Sequence, residues 1–222
     1  MKEIIRLESV VKLYPPGRRA VNGVSLSVKE RERVCICGAP GSGKTTLMRL
    51  IAGMESVSAG SIFVDEKPIH TLSAKELADF RNRTFGVLQR VPGFMEPLSV
   101  LENVALPLSI RRVPLAKREA AAREQLKSLG VPQLIHAKPA QLSPYEAQFV
   151  SLARAFITRP QILLLDDMTA GLSAKESGRI IGTLSMLWQS GDCALLSGGD
   201  NSPFPFDKRF ILAHGKLQEV ES

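Results

Sequence analysis

The chain has 222 residues, 44% hydrophobic and 23% charged, with a formal net charge of +7. That is length for one large or two small domains around a substantial core, and no run approaches the ~20 apolar residues of a membrane span. Met1–Arg6 carries charges where a secretory signal would develop its apolar core, so no leader is expected, and the protein is expected to be soluble on its own. The basic residues are scattered. Only Arg111, Arg112, Lys117 and Arg118 group loosely, and they read as a solvated helix face, not as a nucleic-acid surface. Of three cysteines, Cys35 and Cys37 alternate along one apolar segment; they fit buried reduced thiols better than a metal site or a disulfide frame, so a cytosolic location is expected.

In chain order, strand character falls at Ile4–Leu7 and Val24–Val28, then at Arg33–Cys37. There follows Gly38-Ala39-Pro40-Gly41-Ser42-Gly43-Lys44-Thr45, and from Thr46 to Gly53 the pattern is helical. A strand is expected at Ser61–Val64, a helix from Ser73 with Glu76 completing a Ser-x-x-Glu capping box, and a strand at Thr84–Leu88. Residues 91–157 turn helical, with Ser99-x-x-Glu102 opening one helix, Leu115–Leu129 forming a charged one and Pro144 starting a third. Strand character returns at Ile162–Asp166, followed by a helix to about Gln189, a strand at Cys193–Leu196 and a pair at Arg209–Ala213 and Lys216–Val220. Continuous apolar strands alternating with helices predict an α/β fold, a mostly parallel sheet covered on both faces.

The glycine pattern carries the chemistry. Glycines at 38, 41 and 43 let backbone N–H groups curl round a phosphate, and the helix N-terminus adds the positive end of its dipole. Residues 38–46 are therefore expected to cradle a triphosphate: Gly38, Ala39, Pro40, Gly41, Ser42, Gly43 and Thr46 by the loop and first turn, Lys44 as a point charge. Thr45 offers a hydroxyl to Mg²⁺, a hard ion that keeps much of its water. Ile162-Leu163-Leu164-Leu165-Asp166 reads as a buried strand ending in a carboxylate, with Asp166 as the second magnesium group.

With those motifs in place, the chain from Leu7 to about Val220 resembles the ATP-binding subunit of ABC transporters. The stretches Phe80–Gln89 and Pro97–Leu108 are similar to the subfamily containing MacB, LolD and FtsE. The resemblance implies a P-loop NTPase fold with an antiparallel β subdomain, residues 1–90 and 158–222 forming the core, and an inserted helical subdomain at 91–157. It implies ATP and Mg²⁺ as cofactors, Tyr14 stacked on adenine, and Gln89 as a magnesium and water contact that also senses a transmembrane partner. It further implies a separately encoded permease subunit of export or mechanotransmission type, a homodimer or heterodimer closing over ATP, no nucleic acid, and a cytoplasmic site on the inner face of the cell membrane.

Several positions depart from the family pattern. The signature loop reads Leu142-Ser143-Pro144-Tyr145-Glu146 where Leu-Ser-Gly-Gly-Gln is usual; Pro144 deletes an N–H and Tyr145 adds bulk. Ser143, the hydroxyl implied to face the partner's γ-phosphate, also opens a capping box with Glu146. Asp167 stands in place of the catalytic glutamate, Ser173 in place of an aspartate, and Gly199 in place of a histidine. His70, His136 and His214 fall outside the family register and read as surface or packing residues. Leu196–Asp200 spells much of the signature, but its place after Asp166 excludes it. The expectation is retained ATP binding with slow hydrolysis; the alternative is a regulatory or structural subunit for which ATP is only a ligand.

Overall fold

The computed structural model describes residues 2–188, 193–198 and 206–220, so Gly199 lies outside the described residues. By its packing the chain divides into two units: Met1–Arg81 with Ile162–Asp167 and Gly191–Ser222, and Asn82–Gln161 with Met168–Ser190.

In the first unit β1 (Glu3–Tyr14) and β2 (Arg18–Lys29) form an antiparallel hairpin, and β1 also pairs with β4 (Ala59–Val64), which pairs in turn with β5 (Lys67–Pro68). Both long strands extend well past the stretches that alternation predicts. Register shifts between Leu7 and Val10 and again near Lys12 break the period of two, so the pattern fades while the ladder continues. The second sheet of this unit runs β10-β9-β3-β8-β7. β3 (Arg33–Cys37) lies parallel to β8 (Cys193–Ser197) and β9 (Lys208–Ala213), β7 (Ile162–Asp166) is parallel to β8, and β10 (Lys216–Val220) closes an antiparallel edge. Val34–Cys37 and all of β7 are buried, the mark of a parallel sheet covered on both sides. Cys35 and Cys37 are buried on that strand and form no disulfide, their sulfurs 3.2 Å apart.

Helix α1 (Lys44–Ile51) covers this sheet with Leu47, Met48, Leu50 and Ile51, at positions that share one face. Each such burial stabilises the fold by about 1.5–3 kcal/mol. Helix α2 (Ala74–Thr84) begins in the first unit and ends in the second, where Thr84 is its last residue and not the start of β6 (Phe85–Gln89).

The second unit contains β6, α3 (Val100–Ile110), α4 (Leu115–Ser128), α5 (Pro144–Phe156) and α6 (Ala174–Leu187). Packing draws its limits wider than 91–157, because β6 and α6 both pack on α5. The basic group at 111–118 is not one solvated face. Arg111 is half-buried and donates to Asn82 Oδ1 (2.8 Å), Asn82 O (2.6 Å) and Thr158 O (3.3 Å), and burial lowers its pKa.

The same device opens α2, α3, α5 and α6. Ser73, Ser99, Ser143 and Ser173 each accept from the backbone N–H three residues on, and Glu76, Glu102, Glu146 and Glu176 each reach back to the serine N–H and hydroxyl at 2.6–2.9 Å. Those bonds to the serines favour the ionised form and hold all four carboxyls below the usual glutamate range. A lowered folded pKa means the contribution is complete above the unfolded value of about 4.3 and lost as pH falls through the folded value. Denaturation midpoints are therefore expected to fall steadily below about pH 4.3, and replacing the four glutamates by glutamine should flatten that acid limb.

Candidate nucleotide site

The loop from Gly38 to Gly43 joins the buried end of β3 to α1, with Ala39, Pro40 and Gly41 exposed at its tip. Its glycines meet a steric demand. A Cβ on Gly38 would lie 2.3 Å from Leu212 O, and one on Gly43 would lie 2.1 Å from Ala20 O, so backbone from β9 and β2 occupies the side-chain space. Gly43 also holds φ at +112°, a conformation that glycine takes without penalty. Helix α1 starts there with no side-chain cap, unlike α3, α5 and α6. An N-terminus without a built-in acceptor suits an external anion.

Lys44 Nζ arches back over the loop to donate to Gly38 O at 2.6 Å and Ala39 O at 3.1 Å, bringing its charge to the exposed tip. Thr45 Oγ1 donates to Asp166 Oδ1 at 3.1 Å, and Ser197 Oγ donates to the same oxygen at 2.7 Å. Asp166 is only 6% exposed, and its carboxylate is held by one hydroxyl from the start of α1 and one from the end of β8, the parallel strand beside its own. Ser197 is the partner that sequence reading misses. It belongs to the segment set aside as a displaced signature, and its position opposite Asp166 becomes visible only when β8 is registered on β7.

A hydroxyl and a carboxylate oxygen 3.1 Å apart at the start of α1 are hard donors suited to a hydrated divalent ion. Among the described residues there is no cluster of three or more His, Cys, Asp or Glu side chains that could replace that ion's water shell.

Asp167, next along the chain, has φ +55°, a region that aspartate tolerates better than most residues. Its N–H donates to Ser197 O at 3.0 Å, and Oδ1 lies 3.9 Å from where a Cβ on Gly198 would stand. Asp167 is thus at the end of the same strand pair as Asp166. Tyr14, at the end of β1, gives its hydroxyl to Glu55, while Lys12 Nζ lies 5.3 Å from its ring centroid. Burial and that hydrogen bond raise the Tyr14 pKa, so the proton stays on the phenol. Thr46 is half-buried in the first turn of α1.

The remaining predicted residues lie in the second unit. Gln89 ends β6, half-buried. Ser143 is exposed but bound into its capping box, and the Tyr145 ring folds back along α5 to meet Phe149 edge-on at 5.0 Å, leaving the helix start to Ser143, Pro144 and Glu146.

A phosphate-type loop between a central parallel strand and a helix, with an acidic strand end bonded to the loop's threonine, defines a P-loop nucleotide-binding protein. The ABC transporter family matches residues 21–170. The chain is 35% identical over 190 residues to the lipoprotein-releasing system ATP-binding protein LolD of Syntrophotalea carbinolica, covering 84% of each chain. It is 34% identical over 187 residues to the macrolide export ATP-binding/permease protein MacB 1/2 of Paracoccus denitrificans, covering 83% of this chain and 28% of that longer one. A dimeric ATP-binding cassette solved in a post-hydrolysis state with ADP and Pi superimposes with a TM-score of 0.89 at 28% identity, covering 99% of this chain and 100% of that one. The chain belongs to the ABC transporter family, as an ATP-binding subunit of the kind represented by LolD and MacB.

Proposed function

We propose that this chain binds Mg-ATP between Gly38 and Thr46, hydrolyses it slowly, and uses the resulting closure of a dimer to drive a separately encoded transmembrane subunit. The observation that carries the reading is the uncapped α1 N-terminus set beside the Thr45–Asp166–Ser197 hydrogen-bond chain. Lys44 and the loop would hold the phosphates, Tyr14 the adenine, and Thr45, Asp166 and Gln89 the metal. Mg²⁺ when bound supplies charge neutralisation at the phosphoryl oxygens. Asp167 would orient the attacking water as a base, with a shorter arm than a glutamate.

The relatives' functions, lipoprotein release and macrolide export, support an export-type role. No helix among the described residues is long and apolar enough to cross a membrane, which agrees with a peripheral position on the cytoplasmic face beside a membrane partner. The loop after Gln89 exposes Val91 (77%) and Met95 (51%), an apolar tip that we assign to that partner. The solved cassette is dimeric, which supports dimerisation here.

One observation favours the alternative reading, a regulatory subunit with ATP as ligand: at α5 the Glu146 carboxylate already fills the N-terminal position where a second anion would sit. Steady-state ATPase of the chain co-purified with its membrane subunit separates the two. Turnover above a Lys44→Ala control, falling ~100-fold or more in Asp167→Asn, is the result expected of an enzyme that uses this carboxylate. Turnover no higher than the control would establish the ligand role.

A further inference from the structure

Within the second unit, the loop that follows β6 is held by side chains from two helices. On α5, Gln148 Nε2 donates to Gln89 O at 3.1 Å and to Arg90 O at 3.0 Å. One turn and a half further along α5, Arg154 donates to Gly93 O at 2.8 Å and stacks 4.6 Å from the Phe94 ring centroid. On α3, Asn103, fully buried, accepts from Met95 N and donates to Met95 O, Leu98 O and Ser99 O.

Gln148 is the informative member. It is 3% exposed, and both of its near partners are carbonyls, so only the NH₂ end of the amide can face them. Its Oε1 is left buried without a hydrogen-bond partner among the described residues. Leaving an acceptor buried and unsatisfied is destabilising, and an apolar side chain of similar size would avoid that cost at this site. The retained amide is explained by what it grips: the last residue of β6 and the first residue of the loop.

We infer that Gln148 is a positioning residue for ATP turnover, fixing the backbone at Gln89 and Arg90 so that α5, the helix that begins at Ser143, sets the placement of Gln89. The inference rests on the reading of Gln89 as an ATP-site residue, and it extends that reading to a residue that touches no ligand. Because α5 also holds Gly93 and Phe94, a push on the exposed Val91 and Met95 tip is delivered to α5 at two points along its length.

The test compares Gln148→Leu, Gln89→Ala and the double variant in the full chain. Arg90 is solvent-exposed and Gln89 half-buried, so neither freed carbonyl is sealed in the core and the leucine variant is expected to fold. Hydrogen–deuterium exchange should rise at least tenfold in residues 89–94 of Gln148→Leu and stay unchanged in the phosphate loop. Turnover should drop ~10-fold or more while Mg-ATP affinity, measured by calorimetry, stays within ~3-fold, and the double variant should lose no more than Gln89→Ala alone. Unchanged exchange at 89–94, or affinity and turnover falling together, or additive losses, overturns the assignment. If the parent chain shows no turnover at all, the hydrolysis reading fails, and the exchange measurement alone decides whether the clamp exists.

Discussion

Lys44→Ala is expected to remove most of the affinity for Mg-ATP while leaving the fold intact. Lys44 is half-buried, and among the described residues its ammonium meets two carbonyls of its own loop, at 2.6 and 3.1 Å, both in reach of water once it is gone. Its loss therefore changes the melting temperature little. Toward a triphosphate the same group would make charge-assisted bonds, and removing an interaction of about 3 kcal/mol would weaken binding roughly 100-fold. Calorimetric titration of the parent and variant chains checks this directly. Equal affinities would mean that the triphosphate is not held by this loop, and the nucleotide reading of residues 38–46 would fall with it.

Gly43→Ala is expected to damage the fold as well as the site. The added carbon would lie 2.1 Å from Ala20 O, a backbone atom of β2 that cannot rotate away, at a residue whose φ of +112° already disfavours a side chain. Displacing a strand or the start of α1 to relieve that contact costs about 3 kcal/mol or more, equivalent to a melting point lower by roughly 6–12 °C in a chain of this size. Gly41→Ala is the internal control: nothing lies within 4 Å of its would-be Cβ, so only the φ of +79° is penalised, at about 1–2 kcal/mol. Thermal unfolding of the two variants side by side should rank them in that order. A Gly43→Ala chain as stable as Gly41→Ala would show that the close approach of β2 to the loop is wrong.

The phosphate loop and Asp166 are legible in the sequence because their chemistry is local: the glycine spacing, the lysine and threonine, and a run of apolar residues ending in a carboxylate each lie within one short segment. The Ser-x-x-Glu helix starts at Ser73, Ser99 and Ser143 are legible for the same reason, and all three form as expected; a fourth, which the reading did not single out, forms at Ser173. What the sequence hides is pairing at a distance. Ser197 meets Asp166 only through the register of β8 on β7, and Glu55 meets Tyr14 across the first unit. Gln148 and Asn103 read as ordinary polar positions on helices, because nothing in helical spacing shows that a glutamine amide will be buried against two carbonyls or an asparagine against four backbone groups. The length of β1 and β2 is concealed by bulges, which shift the inward face partway along each strand. Arg111 belongs with these, since a cluster of basic residues in sequence contains one whose guanidinium is spent on two backbone oxygens and the Asn82 side chain.

The position of β3 bears on the order in which this protein can assemble during synthesis. Its two neighbours are β8 and β9, with Arg33 opposite Ala194 and Val34 opposite Lys208, so the strand that carries the phosphate loop waits for partners that lie far downstream in the chain. Closing so long a loop is slow, whereas helices with start signals a few residues long can organise as they emerge from the ribosome. A nascent chain stalled before Cys193 would leave β3 without either flanking strand, and its ability to retain nucleotide should appear only once β8 and β9 have been released.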